Sequence, residues 1–216
     1  EKTNEQVAGE VCSTYLYSPI AAVAIADKRP DARIVAILRD PVERSYSAYR
    51  HMRAREGEPA QTMAEALDAE QAHIADGWQQ MSHYLAASKY AEQLARYYEH
   101  FKAEQVLVVP FEELASDPIG WTNRICAHIG VSPLPAQAAL AQTNATHDVK
   151  NPLIKAMFGK KNPLLRQLVL TLPALWRARF RERVMASFAR RPDGLSDASR
   201  SRLENALRND AEKVRA

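Results

Sequence analysis

Residues 32–49 read ARIVAILRDPVERSYSAY, and this stretch decides the fold class. It opens with Ala32–Leu38, a nearly continuous apolar run of strand length, which is the pattern of a strand covered on both faces. Asp40, Pro41 and Glu43 then form a capping-box pattern with proline at the first helical position, so a helix is predicted to about Arg53. A buried strand that leads directly into a helix is typical of parallel α/β proteins.

The flanking sequence continues this alternation of helices and strands. Helix starts are indicated by Ser18-Pro19, by a second capping box from Thr62 to Glu65, and by Asp117-Pro118. The predicted elements are helices over 18–28, 40–53, 62–74 and 88–101, strands over 32–38 and 105–109, and a helix from 117 that ends at a left-handed cap on Gly130. The helix over 88–101 is predicted to bury one stripe, formed by Tyr90, Leu94, Tyr97 and Phe101.

Past Pro133 the sequence is basic, rich in helical patterns and interrupted by prolines, and it contains no convincing strand. Helices are predicted over 175–190 and 195–214, and a loop or loosely ordered helix over 151–162. The sequence contains no internal repeats, and nothing marks a clean domain boundary. The chain is therefore predicted to be one domain over 1–216, an α/β fold with a parallel sheet flanked by helices and a helical carboxy-terminal part.

Composition narrows the function classes. The 216 residues are 46% hydrophobic and carry a formal net charge of +3, without the concentrated basic stripe of a dedicated nucleic-acid binder. No apolar run is long enough for a membrane span, and the six histidines show no metal-ligand spacing. Cys12 and Cys126 form no disulfide framework, so a cytoplasmic, reducing compartment is expected.

The strand and helix over 32–53 place several polar side chains where an anion can bind. The strand delivers Arg39 to its carboxyl end, the edge at which open α/β sheets bind ligands. The next helix offers free N–H groups and the positive end of its dipole. Asp40, Arg44, Ser47 and His51 recur at three- and four-residue steps and so share a face of this helix. Arg39 and Ser47 are therefore predicted to converge on one phosphate, one as a bidentate fork and the other as a single donor.

Residues 39–47, RDPVERSYS, resemble the motif with which sulfotransferases that use 3′-phosphoadenosine 5′-phosphosulfate (PAPS) hold the 3′-phosphate of this donor. In that family the first arginine of the motif and the serine eight residues later contact the phosphate. The resemblance thus implies this role for Arg39 and Ser47. Arg44 also matches the motif, and two interpretations stay open: a phosphate ligand, or a structural ion pair with Asp40 or Glu43.

Two flanking segments extend the resemblance to about residues 7–130. Residues 9–16 (GEVCSTYL) are similar to a segment of bacterial and carbohydrate-directed members, although Val11 stands where many of them have a lysine. Residues 90–118 are similar to the long helix, late strand and following helix start of the family. Family members begin with a strand, a phosphate-binding loop and a helix, similar in topology to nucleotide kinases and other P-loop NTPase-like folds. That segment is expected to lie outside this sequence, together with the catalytic base.

Other candidate residues each have a structural alternative. Glu10 is the candidate for proton transfer or substrate orientation, against a structural hydrogen bond at a strand end. Ser13 and Tyr15 are candidates for the acceptor cleft, and His51 is a further ligand candidate. Trp78 and Tyr84 are candidates to stack on an acceptor, against surface or packing roles. Lys150, with Lys155, Lys160 and Lys161, is a candidate for a basic loop over the donor phosphate, against a solvated loop.

The resemblance implies transfer of a sulfuryl group from PAPS to a hydroxyl or amine, with a saccharide or glycolipid as the expected acceptor and no metal required. It indicates neither a particular acceptor nor an oligomeric state. Two alternatives remain. A P-loop kinase-like phosphotransferase would use a carboxylate such as Asp40 for Mg²⁺, and a degenerate domain of the same fold would serve as an interaction module.

Overall fold

The computed structural model describes residues 7–55, 57–135 and 194–215. Apart from Gly194, these residues belong to one compact unit. In chain order its elements are α1 (Ala21–Lys28), β1 (Ile34–Leu38), α2 (Pro41–Ala54), α3 (Met63–Ala75), α4 (Tyr90–Tyr98), β2 (Val106–Pro110), α5 (Phe111–Ser116), α6 (Pro118–Ile129) and α7 (Asp197–Arg215). Short 3₁₀ turns lie at Gln80–Ser82, Ala86–Ser88 and Ala103–Gln105. The predicted helix over 175–190 and the lysine cluster from Lys150 to Lys161 lie outside the described residues.

The two strands pair in parallel, with Ile34 opposite Val106 and Leu38 opposite Pro110. Parallel pairing needs a crossover between the strands, and α2, α3 and α4 lie in that crossover. The predicted α/β class, with parallel strands flanked by helices, is confirmed. Because both strands end at the same level, Arg39 and Phe111 emerge next to each other at the carboxyl edge.

Helix α4 covers one face of the strands. Ala36 and Leu38 of β1 are buried against Tyr90 and Leu94 of α4. The four residues of the predicted stripe are buried, with exposed fractions of 8% for Tyr90, 6% for Leu94 and 3% each for Tyr97 and Phe101. The amphipathic pattern therefore predicted the packed face of α4 correctly, although the helix itself ends at Tyr98.

Helix α1 begins at Ala21, later than predicted. Its N-cap is Ile20, and no side chain caps it. The backbone N–H of Ser18 instead donates to the carbonyls of Thr14 and Tyr15 in the preceding turn, at 3.0 and 3.2 Å. The prediction of a Ser18 cap is wrong because this turn precedes the helix start and takes up the backbone of Ser18.

The other helix ends follow their sequence signals. Thr62 and Glu65 form the reciprocal capping box of α3. The Asp117 side chain accepts a hydrogen bond from the Gly120 N–H at 2.9 Å at the start of α6, and a Cβ atom on Gly120 would collide with that carboxylate. Helix α6 ends at Gly130, whose φ of 77° is left-handed, as predicted.

Helix α7 completes the core although more than 60 residues separate it from α6 in the sequence. Leu203 and Leu207, each 1% exposed, lie in a buried cluster with residues of α2 and α3. Both carboxylate oxygens of Asp210 accept from the Ala91 N–H, at 3.2 and 3.1 Å. The Asp210 side chain of α7 thereby caps the first turn of α4. Helix α4 has no side-chain cap of its own.

Replacing Leu203 by alanine is expected to lower the free energy of unfolding by about 3 kcal/mol, because it removes buried methyl groups and leaves a cavity among α2, α3 and α7. Urea unfolding followed by circular dichroism measures this change. Asn209→Ala, at an exposed position of the same helix, is the control and should change stability by less than about 0.5 kcal/mol. Equal losses in the two variants would contradict the packing of α7 in the core.

Candidate functional site

Arg39 follows β1 directly and lies at the carboxyl edge of the strands. Its side chain is 37% exposed, and its Nη2 atom is 3.8 Å from Oε2 of Glu43 on the first turn of α2. The guanidinium carbon is 5.7 Å from the centre of the Phe111 ring, within the range of a cation–π contact. Neither contact is a short hydrogen bond, so the guanidinium has donors available for an anion.

The start of α2 is fixed by carboxylates from two elements. Oδ1 of Asp40 accepts from the N–H groups of Val42 at 3.0 Å and Glu43 at 2.9 Å, as predicted for an N-cap. The reciprocal half of the predicted capping box is absent from this pair, because the Asp40 N–H donates instead to Oε1 of Glu112 at 3.1 Å. Glu43 is directed elsewhere: its Oε1 accepts from Nη2 of Arg200 on α7 at 2.9 Å.

Ser47 lies on the second turn of α2 and is half-buried. Its hydroxyl has no hydrogen-bond partner within the part of the chain that the structure describes. A half-buried hydroxyl with a free donor and a guanidinium at the strand edge are the two groups that the motif assigns to one phosphate. The structure leaves both groups unoccupied by strong protein contacts, and their convergence on a phosphate stays a prediction.

Arg44 makes structural contacts in this fold, and a role as a phosphate ligand stays a prediction. Its Nη1 atom donates to the carbonyls of His83 at 3.3 Å and Tyr84 at 3.0 Å and to Oγ of Ser88 at 3.2 Å. Burial lowers the pKa of the Arg44 guanidinium from its ordinary value. The side chain ties α2 to residues 83–88. One of the two interpretations required an ion pair of Arg44 with Asp40 or Glu43, and neither carboxylate is its partner among the described residues.

Ser45 reinforces the same junction. Its hydroxyl lies 2.8 Å from the carbonyls of Pro41 and Tyr84 and 2.8 Å from Oγ of Ser88. Ser45 and Ser88 are both 0% exposed. Two buried hydroxyls and one half-buried guanidinium therefore hold the helix of the candidate site in place against the segment that leads into α4.

Glu10, the candidate for proton transfer, lies in an exposed segment. Its Oε1 accepts from the hydroxyl of Tyr15 at 2.6 Å, and this hydrogen bond raises the pKa of Tyr15. Tyr15 is itself held by α4, because the hydroxyl of Tyr97 donates to its carbonyl at 3.0 Å. The segment is thus anchored next to the strands, and the catalytic role of Glu10 stays a prediction.

The two aromatic acceptor candidates lie in different surroundings. Tyr84 is 0% exposed and donates from its hydroxyl to Oε2 of Glu58 at 2.6 Å. Burial raises the pKa of Tyr84, and the ring is packed edge-on against Tyr49. Of the two alternatives for Tyr84, the structure therefore shows the packing role and rules out stacking on an acceptor. Trp78 is half-buried and stacks on His73 with ring centres 3.8 Å apart. The predicted contact of His51 with the ligand stays a prediction.

Within the described ranges, no group of three or more histidine, cysteine, aspartate or glutamate residues is arranged to hold a metal ion. Across the same residues, no helix combines the length and the hydropathy needed to cross a membrane. Cys12 and Cys126 are both free thiols.

Comparison with known proteins assigns this arrangement to a family. The family model described as "Sulfotransferase family" matches residues 18–135, which include β1, α2, β2 and the motif at their edge. This chain belongs to the sulfotransferase family. The predicted membership of this family is thereby confirmed, and the role of residues 39–47 in holding a 3′-phosphate stays a prediction.

The sulfotransferase match extends to solved structures and to curated relatives. A crystal structure of a sulfotransferase from Alicyclobacillus acidocaldarius matches with a TM-score of 0.54 and 30% identity, over 83% of this chain and 63% of that one. Bifunctional heparan sulfate N-deacetylase/N-sulfotransferase 1 of Caenorhabditis elegans is 26% identical over 133 residues, 62% of this chain and 16% of that protein. Bifunctional heparan sulfate N-deacetylase/N-sulfotransferase 4 of Mus musculus is 29% identical over 126 residues, 57% of this chain and 14% of that protein. The chain thus spans about a sixth of the length of these curated relatives.

Sequence reasoning missed three residues at the edge of this sulfotransferase domain. Phe111 and Glu112 follow β2 and contact Arg39 and the Asp40 N–H, respectively. The parallel register of two predicted strands, which brings their carboxyl ends together, was a signal that could have found both. Arg200 contacts Glu43 from 157 residues away in the sequence, and no local pattern indicates such a pair.

Replacing Arg44 by alanine is expected to destabilise the folded protein by about 3 kcal/mol, since three acceptors in a buried junction lose their donor. Chemical denaturation measures the loss. The matched control is Arg55→Ala at the exposed carboxyl end of the same helix, which should stay within about 0.5 kcal/mol of wild type. A folded, equally stable Arg44→Ala protein that has lost nucleotide binding would instead favour the ligand interpretation of this residue.

Proposed function

We propose that this chain is the 3′-phosphate-binding part of a sulfotransferase that moves a sulfuryl group from PAPS to an amine or hydroxyl of a saccharide. The proposal is supported by the positions of Arg39 at the strand edge and of Ser47 on the second turn of α2, in a chain of the sulfotransferase family. Arg39 has a half-exposed guanidinium with no short protein hydrogen bond in the described part of the chain, and Ser47 a hydroxyl without a described partner. Both groups therefore have hydrogen-bond donors available for an anionic ligand.

The proposed reaction is an in-line displacement at sulfur. A bond forms between the acceptor oxygen or nitrogen and sulfur, while the bond from sulfur to the 5′-phosphate oxygen breaks. The acceptor proton passes to a base, and adenosine 3′,5′-bisphosphate leaves with the electron pair of the broken bond. The contribution of Arg39 and Ser47 is to position the donor by its 3′-phosphate, which does not react. They are therefore binding residues, and Glu10 remains the proposed candidate for the proton transfer.

The saccharide acceptor is proposed from the relatives. Two of them carry names that describe N-sulfotransferases of heparan sulfate, and their products are formed at an amine of a sugar. The chain has a formal net charge of +3, which favours an anionic partner over a cationic one. An amino sugar in an acidic glycan satisfies both observations.

Of the two alternatives, the kinase loses support at Asp40. The kinase alternative uses Asp40 as a magnesium ligand, but Oδ1 of Asp40 already accepts from two N–H groups as the cap of α2. The interaction-module alternative predicts no nucleotide binding at all and is separated by the binding experiment below. A cytoplasmic location is part of the same proposal and is supported by the unpaired thiols of Cys12 and Cys126.

Adenosine 3′,5′-bisphosphate is expected to raise the unfolding temperature of the full-length protein. At a concentration of about 100 times the dissociation constant, binding to the native state adds roughly 2.7 kcal/mol of stability. Arg39→Ala should abolish most of this shift while the unliganded protein stays folded, because the contacts of Arg39 are half-exposed and long. Differential scanning fluorimetry measures both quantities. Arg55→Ala is the control, and an unchanged shift in Arg39→Ala would count against the assignment.

The reaction itself is tested by incubating the full-length protein with PAPS and measuring acceptor-dependent release of adenosine 3′,5′-bisphosphate. Oligosaccharides with a free amino group are expected to stimulate release, and the same sugars with the amine acetylated should do so much less. Release with phenolic acceptors alone would replace the saccharide assignment. A larger thermal response to ATP with magnesium than to the bisphosphate would favour the kinase.

A further inference from the structure

Helix α7 brings a cation to the edge where Arg39 lies. Nη2 of Arg200 is 2.9 Å from Oε1 of Glu43, and the other carboxylate oxygen of Glu43 is 3.8 Å from Nη2 of Arg39. One carboxylate is therefore shared between a guanidinium of the candidate phosphate site and a guanidinium of α7. Residues 18–135, which the family model matches, do not include Arg200.

Glu43 lies on α2 between the face that packs against α7 and the face that carries Ser47. Val42 and Tyr49, on one side of the helix, are buried in the cluster that contains Leu203 and Leu207 of α7. Ser47 lies one turn beyond Glu43 and on the opposite flank from Val42, given 3.6 residues per turn. Arg200 thus reaches Glu43 from the α7 side, whereas the predicted phosphate lies on the Ser47 side. Direct contact between Arg200 and the phosphate is not required by this arrangement.

The carboxylates at the start of α2 make the contact between Arg200 and Glu43 important for the charge balance around Arg39. Asp40, Glu43 and Glu112 place three carboxylates around the start of α2, and two of them are occupied by backbone N–H groups. Glu43 has no backbone donor among the described residues and is balanced by Arg200 and Arg39. A phosphate monoester brings up to two further negative charges. Without Arg200, the carboxylate of Glu43 would interact with Arg39 alone. It would then compete with the phosphate for the guanidinium of Arg39.

We infer that Arg200 is a positioning residue of the donor site: it holds and neutralises Glu43, and so leaves the guanidinium of Arg39 free to bind the 3′-phosphate. This inference rests on the proposed function of Arg39. It assigns to α7 a share in recognising the 3′-phosphate, in addition to its part in the core. The role is electrostatic and acts through Glu43, so it depends on the presence of that carboxylate.

The chain provides a matched control two residues along the same helix. Nη2 of Arg202 pairs with Oδ1 of Asp68 on α3 at 2.7 Å, with side chains 47% and 69% exposed. The pair of Arg200 with Glu43 has side chains 42% and 38% exposed. Both pairs fasten α7 to a neighbouring helix, and only one of them involves a carboxylate next to Arg39.

The test is to measure dissociation constants for adenosine 3′,5′-bisphosphate and for adenosine 5′-monophosphate, which lacks the 3′-phosphate, by calorimetry on the full-length protein. Arg200→Ala is expected to weaken bisphosphate binding about fivefold, the scale of one exposed ion pair, and to leave monophosphate binding unchanged. Arg202→Ala should change neither constant. In the double variant R200A/E43Q, bisphosphate affinity should return to that of wild type, because the competing charge is gone.

The outcomes separate the inference from the function on which it rests. If wild type binds the two nucleotides equally, or Arg39→Ala binds the bisphosphate as tightly as wild type, the proposed function fails and the inference with it. If Arg39→Ala loses bisphosphate binding but Arg200→Ala behaves like Arg202→Ala, the inference alone is overturned. It is also overturned if R200A/E43Q binds as weakly as R200A, since the loss would then come from looser docking of α7.

Discussion

The parallel pairing of β1 with β2 is the constraint on which the candidate site depends. Leu38 lies opposite Pro110, so both strands stop at the same level and two helices start from one edge. Arg39, Phe111 and Glu112 are neighbours only because of this register. A shift of one residue would turn every strand side chain to the other face. It would also move the Glu112 carboxylate away from the Asp40 N–H that it now accepts from.

The second requirement of the site is a fixed orientation of α2. The half-buried guanidinium of Arg44 and the buried hydroxyls of Ser45 and Ser88 hold this helix against residues 83–88. Buried polar contacts of this kind are costly to leave unpaired and therefore define one geometry. Within the motif, Arg44 and Ser45, which hold the helix, lie between Arg39 and Ser47, which are proposed to hold the ligand, so a short motif can combine both tasks.

Much of this arrangement could be predicted from the sequence because its causes are local. Helix caps such as Thr62 and Asp117, the left-handed Gly130 and the buried stripe of α4 each depend on residues within a few positions of one another. Arg39 could be placed at a strand end for the same reason. The spacing of Arg44 identified its helix face but not the carbonyls opposite that face, which lie about 40 residues away in the sequence. For Tyr84 the sequence left a packing role and stacking on an acceptor both open, because the segment around it has no periodicity that would indicate burial.

The contact between Asp210 and the Ala91 N–H has a consequence for how this protein comes to be made. Helix α4 needs a carboxylate from α7 to cap its first turn, and the cluster of Leu203 and Leu207 closes only when α7 is present. During synthesis the amino-terminal parts of a protein emerge first. The apolar faces of α2 and α3 in this cluster therefore stay uncovered until the ribosome has released residues near position 210, and this interval is when a chaperone would be most needed.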